Sequence, residues 1–323
     1  MTLTQFKYVL EVEKTGSINH AAKNLFVSQS VLSTSIKNLE EELGYTIFSR
    51  TNRGILCTPL GKTFISYIRP IHEQVQNINR MIADVSEQHT TSLSIASSGW
   101  TFLSEVICKL HQRYQTAGLR IEYYEAFGTE SENMVANQIA DIGFGRRYTC
   151  YQQMNQLSYK SLKLQFFPIY LAEIGVTVSP ANPLFYLESN YITTDMLKDS
   201  VPILHTYFDG GPYSNILKQL DIPISANRFM VTSRAAMYEI LAKTNSYYLN
   251  SVFTHTDKNI RTDDVVSPQR TLVLKDCDIK SEFGWFKREN TALSSIAMDL
   301  VNMVSEYFSN RFVKSDKVYL EMR

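Results

Sequence analysis

The chain has 323 residues, enough for two or three domains. Hydrophobic residues make up 44% and charged residues 20%, a globular balance that excludes wholesale disorder. With 32 basic and 32 acidic side chains the net charge is zero. Residues 1–69 nevertheless carry eight Lys/Arg against five Asp/Glu, a mild +3 that the remainder offsets. The N-terminus meets Glu11, Glu13 and Lys14 before any apolar run develops, unlike a signal peptide. No stretch approaches the ~18 apolar residues that a membrane helix needs. Cys57, Cys108, Cys150 and Cys277 lie far apart, without zinc-site spacing. A cytoplasmic protein with no membrane partner, metal or cofactor is expected.

Residues 3–14 set Leu3, Phe6, Val9, Leu10 and Glu13 at helical spacing, and Gly16 ends that helix. Ser17 caps a second helix, Ile18 to Phe26, with Ala21, Ala22 and Leu25 inward. Ser28 caps a third running to Leu43, with Leu32, Ile36, Leu39 and Leu43 as its core stripe. Its opposite face carries Gln29, Ser30, Ser33, Thr34 and Lys37. Gln can bond adenine bidentately, Ser can serve base or phosphate, and Lys can meet phosphate, so this face suits a DNA major groove. A small helical hairpin with a solvated polar face would show the same periodicity. Residues 45–50 and 54–58 are β-prone runs flanking Thr51-Asn52-Arg53, a hairpin with Arg50 and Arg53 near its tip, within reach of phosphates.

Thr58-Pro59 reads as the cap and first residue of a long helix spanning 58–89. Phe64, Ile68, Ile71, Val75, Ile78, Ile82 and Val85 recur at alternating steps of four and three, a coiled-coil seam that predicts dimerisation. A helix packed on its own domain usually shows a wider stripe. Residues 87–92 read as a polar linker.

Beyond it, strands near 93–96, 119–124, 141–145, 164–178, 201–204, 227–231, 246–250, 272–274 and 283–286 alternate with helices near 101–114, 130–139, 193–199, 213–220 and 233–243. This order predicts a mostly parallel α/β sheet. A last helix carries Ile296, Leu300, Val304 and Phe308. Strand ends preceding helix N-termini are candidate anion sites: Ser97, Ser98 and Thr101, then His205 and Thr206, then Thr232 and Ser233. Each is equally readable as a helix cap, and His205 as a structural histidine.

Gly16-Ser17, Ala21-Ala22, Leu25, Val27-Ser28-Gln29-Ser30, Leu32-Ser33, Ile36-Lys37, Leu39-Glu40, Leu43-Gly44, Ile47-Phe48, Arg50 and Thr58-Pro59-Leu60-Gly61 stand in the register of one signature. Residues 3–65 thereby resemble LysR-type transcriptional regulators. The resemblance implies a winged helix-turn-helix at 1–60 whose third helix reads the groove through Gln29, Ser30, Ser33 and Lys37, with wing duty on Arg50 and Arg53. Thr34 departs from the family, where a basic or longer polar residue is common. Residues 91–323 resemble, more weakly, the family's periplasmic-binding-protein-like effector domain of two α/β lobes. The likeness rests on element order, Val178, Asn182-Pro183-Leu184 and Asp141-Ile142-Gly143. Lobe 1 is expected at about 91–163 and 270–310, and lobe 2 at about 164–269. Lys243 to Tyr248 replaces the Gly-rich strand entry common in the family, so the ligand class cannot be borrowed.

The implied partners are double-stranded DNA, an anionic small-molecule effector and further copies of the chain in a homodimer or homotetramer, with RNA polymerase a further candidate. The alternative is a DNA-binding adaptor that senses no ligand and answers to a protein partner. Gly143-Phe144-Gly145 lacks the further Gly of a dinucleotide loop, and no nucleophile elbow, Walker loop or zincin motif occurs, so no enzyme is expected.

Overall fold

The computed structural model describes residues 1–51, 54–86, 91–98, 100–116, 118–206, 213–223, 226–253, 260–261 and 267–312. The chain divides into two compact units, Met1–His89 with Asn137–Ile139, and Thr90–Ala136 with Ala140–Arg323.

The first unit opens with α1 (Leu3–Thr15), α2 (Ile18–Asn24) and α3 (Gln29–Leu43). Thr2 starts α1 through a reciprocal capping box with Gln5. Gly16 and Gly44 end α1 and α3 in the left-handed conformation, at φ 62° and 75°, which costs glycine little. The second helix stops at Asn24, short of the expected Phe26. Phe26 itself turns the chain at φ 55° and is 95% exposed, so it cannot continue the inward stripe. Strands β1 (Phe48–Thr51) and β2 (Gly54–Cys57) form the wing hairpin. Glu40 fixes its base, its carboxylate accepting the amides of Ile47 at 2.6 Å and Phe48 at 3.0 Å.

Helix α4 (Pro59–Ser86) leaves directly from the wing. Thr58 holds the junction, donating its hydroxyl to the Thr46 carbonyl at 2.7 Å and accepting the Gly61 amide at 2.9 Å. A Cβ on Gly61 would sit 2.1 Å from the Ile47 carbonyl oxygen, so only glycine lets the helix approach this closely. Phe64, Ile65 and Ile68 then bury in the same core as Phe6, Val9, Leu32, Ile36, Leu39 and Ile47. Of the seam residues, Phe64 and Ile68 bury in their own domain's core, while Ile71 and Ile78 are 46% and 53% exposed. The side chains of Ile82 and Val85 lie outside what is described. Pro70 stands inside the helix, where it lacks the amide for the bond to Ser66.

The second unit holds a mixed sheet in the order β4-β3-β5-β13-β6-β10-β8-β9, with β7, β11 and β12 off this path. Its strands are β3 (Thr91–Ser97), β4 (Leu119–Glu125), β5 (Ile142–Tyr148), β6 (Leu164–Val178), β7 (Tyr191–Ile192), β8 (Val201–His205), β9 (Phe229–Val231), β10 (Ser246–Val252), β11 (Ile260–Arg261), β12 (Gln269–Leu274) and β13 (Lys280–Arg288). The helices are α5 (Thr101–Arg113), α6 (Thr129–Ala136), α7 (Gln152–Ser161), α8 (Ile216–Gln219), α9 (Arg234–Lys243) and α10 (Ser295–Phe312). Parallel groups, β4-β3-β5 on one side and β10-β8-β9 on the other, are joined by antiparallel pairings of β13 and β6. The expected mostly parallel sheet is therefore parallel at its flanks and antiparallel through its middle.

Two main cores define two lobes. One gathers Leu93, Leu103, Phe144, Tyr170, Phe283 and the α10 stripe of Ile296, Leu300, Val304 and Phe308. The other gathers Ile174, Val176, Val178, Tyr213, Tyr247, Leu272 and Leu274. Strand β6 belongs to both, since Ile169 to Ala172 pack in the first and Ile174 to Val178 in the second. The lobe boundaries expected at 164 and 270 therefore both shift: the crossing falls inside β6, and β12 still belongs to the second lobe. Asn182 ties that lobe together, donating to Ser200 and to the carbonyls of Asn245 and Ser246 while accepting the Leu184 amide.

Candidate functional site

In the first unit, α3 begins at the Ser28 cap, whose hydroxyl accepts the Val31 amide. Gln29, Ser30, Thr34 and Lys37 are exposed along one face and Ser33 is half-buried. Ser30 Oγ lies 3.0 Å from Ser28 Oγ. Lys37 sits 3.5 Å from Glu41, an exposed pair one turn apart that exchanges readily with solvent or another anion. Between them Val31 presents an apolar side chain, 53% exposed, which a search for polar groups passes over. Arg50 lies on β1 but its side chain is outside what is described, as is all of Arg53.

In the second unit a cavity of about 130 Å³ opens between the two lobes, at the ends of β3, β5, β8 and β10. Of the seven residues expected there, Ser98, Thr101, His205 and Ser233 line it. Ser97, Thr206 and Thr232 are corrected: Ser97 is fully buried at the end of β3, and the two threonines are exposed outside the cavity. Ser233 also spends its hydroxyl on the α9 cap, accepting the Ala236 amide at 3.2 Å. Of the Lys243–Tyr248 stretch only Tyr248 lines the cavity, followed by Leu249 and Asn250.

Aromatic rings dominate the lining, including Trp100, Phe127, Tyr148, Tyr213 and Phe286. Phe127, from the first lobe, stacks on His205 of the second with centroids 3.9 Å apart. Arg234 of α9 reaches across as well, bonding Glu125 at 3.3 Å and the Ser98 carbonyl. The charged residues of the lining escaped the sequence reading. Arg146 donates to Ser251 Oγ at 3.3 Å and lies 5.3 Å from the Tyr148 ring centroid. Tyr148 is 1% exposed, and its hydroxyl finds no hydrogen-bond partner among the described residues. Burial raises that phenol's pKa further. Glu132 on α6 accepts Ser158 Oγ at 3.4 Å, and burial pushes its carboxyl up to about 7 against the lowering pull of Tyr159, Ser158 and Arg147. The sequence signal for Arg146 was present, since Gly145-Arg146-Arg147 lies towards the carboxyl end of a strand, where such clefts form.

Residues 3–62 match the family model of bacterial regulatory helix-turn-helix proteins of the lysR family. The first unit is thus similar to the helix-turn-helix of the lysR family. The chain is 32% identical over 149 residues to the HTH-type transcriptional regulator BenM of Acinetobacter baylyi, covering 45% of this chain and 48% of that one. To the HTH-type transcriptional regulator TfdT of Cupriavidus pinatubonensis it is 27% identical over 151 residues, covering 46% and 65%. The chain thus spans less than two thirds of either relative's length. Its fold resembles that of full-length CbnR complexed with its target DNA, at a TM-score of 0.55 and 17% identity, covering 95% of this chain and 99% of the other. No described helix is long and apolar enough to cross a membrane, and no group of three or more metal-ligating side chains occurs among the described residues.

Proposed function

We propose that this LysR-type chain is a non-catalytic, sequence-specific DNA-binding regulator that senses a small anionic molecule in the cleft between its two lobes. The observation that carries the reading is Arg146, a half-buried cation in an aromatic cleft beside the partnerless hydroxyl of Tyr148. A guanidinium held there by one neutral hydrogen bond is ready to receive a carboxylate, which it binds better than any neutral group. The anchor therefore moves from the strand-end hydroxyls to Arg146, with Ser98 and Thr101 at the rim.

At the other end of the chain, Gln29, Ser30, Ser33 and Thr34 read base edges, Val31 meets thymine methyls, and Lys37, Arg50 and Arg53 meet phosphates. Two heads join through the α4 seam beyond Ile68, with Ile71 and Ile78 exposed and Val75 half-buried, continued by Ile82 and Val85. The molecule works in the cytoplasm as a dimer or a dimer of dimers. For sensing to matter, the ligand must bind one arrangement of the lobes better than another.

Selection of bound fragments from genomic DNA tests the first half, with an enriched motif as the expected result. The second half is tested by titrating small carboxylates against the full chain. A ligand at about 100 times its dissociation constant adds about 2.7 kcal/mol of stability. A DNA motif with no stabilising ligand would favour an adaptor that answers to a protein.

A further inference from the structure

Arg146 and Tyr148 are two residues apart on β5, so their side chains leave the strand on the same face. The Arg146 guanidinium carbon lies 5.3 Å from the centre of the Tyr148 ring, and both residues line the cavity. Arg147, between them, leaves on the opposite face, where it sits 3.7 Å over the Phe166 ring and pairs with Glu282. No carboxylate among the described residues pairs with Arg146, which donates to Ser251 Oγ at 3.3 Å.

Tyr148 differs from the tyrosine packed against it. The ring of Tyr213, perpendicular to it at 5.1 Å, carries a hydroxyl that donates to Asn155 at 2.8 Å. The Tyr148 hydroxyl is buried and meets no acceptor among the described residues. Burial raises its pKa, so it keeps its proton at neutral pH and stands as a donor. For packing alone, phenylalanine would fill this place without leaving a polar group unpaired.

We infer that Tyr148 is a specificity-determining residue of the cleft, its hydroxyl donating to one oxygen of the ligand's carboxylate while Arg146 holds the other. The inference rests on the cleft being the sensor site. A carboxylate offers about four acceptor positions on its two oxygens, enough for the guanidinium and the phenol together. The corresponding primary amide offers a single carbonyl oxygen and no charge. It would leave Arg146 without a counter-ion or the phenol without an acceptor.

Tyr148→Phe separates this role from packing. Without ligand, the full-length variant should melt at the wild-type temperature or above, since the lost hydroxyl had no partner to miss. Wild type and variant are then titrated by calorimetry with straight-chain and aromatic monocarboxylates, and with the primary amide of the tightest binder. Wild type is expected to prefer that carboxylate to its amide at least tenfold. Tyr148→Phe should weaken the carboxylate about tenfold, the range of a hydrogen bond to a charged group. Arg146→Gln should erase the preference over the amide. The double variant should lose little more than Arg146→Gln alone, because the phenol grips an anion that Arg146 has seated. Carboxylate binding unchanged in Tyr148→Phe overturns the inference and leaves anion sensing standing. A clear fall in its ligand-free melting temperature does the same, for the hydroxyl would then be serving the fold. Silence from every carboxylate on wild type overturns the inference together with the sensor reading.

Discussion

The ring of Phe127 lies 3.9 Å from that of His205, centroid to centroid, with 23° between their planes. The two residues belong to different lobes, one following β4 and the other ending β8. Their contact and the bond from Arg234 to Glu125 are two independent fastenings across the cleft. Aromatic pairs of this kind contribute about 0.5–1.5 kcal/mol beyond their buried area. Phe127→Ala should therefore raise the open population about two- to tenfold. Hydrogen exchange of the amides in 126–131 and 201–205 measures it, and unchanged exchange rates would show that the stack holds nothing shut.

Glu132 makes stability depend on pH in the absence of ligand. Its carboxyl is neutral in the fold up to about 7, whereas in the unfolded chain it ionises near 4.5. Between these values the folded state binds the extra proton, so stability falls as pH rises through the window. Glu132→Gln removes this loss. Its melting temperature relative to wild type should be higher at pH 8 than at pH 5, with a difference on the order of 2–3 kcal/mol at most. A difference that does not change with pH would refute the assignment.

On α3, Gln29→Ala should weaken specific DNA binding by about 1–3 kcal/mol and leave non-specific binding unchanged. Lys37→Ala should weaken both and flatten the salt dependence, as expected of a phosphate contact. Gel shifts at several salt concentrations, with matched and scrambled sites, separate the two behaviours. Equal losses on both sites for Gln29→Ala would remove it from base reading.

The α4 residues divide by exposure. Ile68→Asp places a charge in a fully packed core and should unfold the first unit. Ile71→Asp and Ile78→Asp alter exposed positions, so they should leave its melting unchanged and lower the assembled mass. Light scattering with circular dichroism reads both effects. An unchanged mass in the double variant would rule out the seam.

Much of the first unit was legible because local signals agree there: Ser17 and Ser28 cap, Gly16 and Gly44 stop, and Leu32, Ile36 and Leu39 face inward. The α4 seam was only half legible. Steps of three and four describe a stripe whatever covers it, and Phe64 and Ile68 are covered by their own wing and α1. Within the second unit the element order was readable. The lobe crossing was not, because β6 runs as one uninterrupted strand from the first core into the second. The cleft was placed by its hydroxyls rather than its charges. Ser98 and Ser233 sit next to helix starts and are visible locally, whereas Arg146 of β5 and Glu132 of α6 come to line the cavity only once the strands pair and α6 packs on them.

The junction of α4 with the wing has a mechanical meaning. From Pro59 to Arg69 the helix is fastened by Thr58, by the close approach at Gly61 and by Phe64, Ile65 and Ile68, so this stretch turns with the reading head as one piece. Compliance is concentrated one residue later, at Pro70, where a rung of the hydrogen-bond ladder is missing. From Pro70 to Ser86 the helix runs about 24 Å, so a 5° flexure there moves its far end by about 2 Å. Small displacements imposed at that end are thus absorbed as bending at Pro70 before they reach α3. Replacing Pro70 by alanine would stiffen the shaft and pass them on.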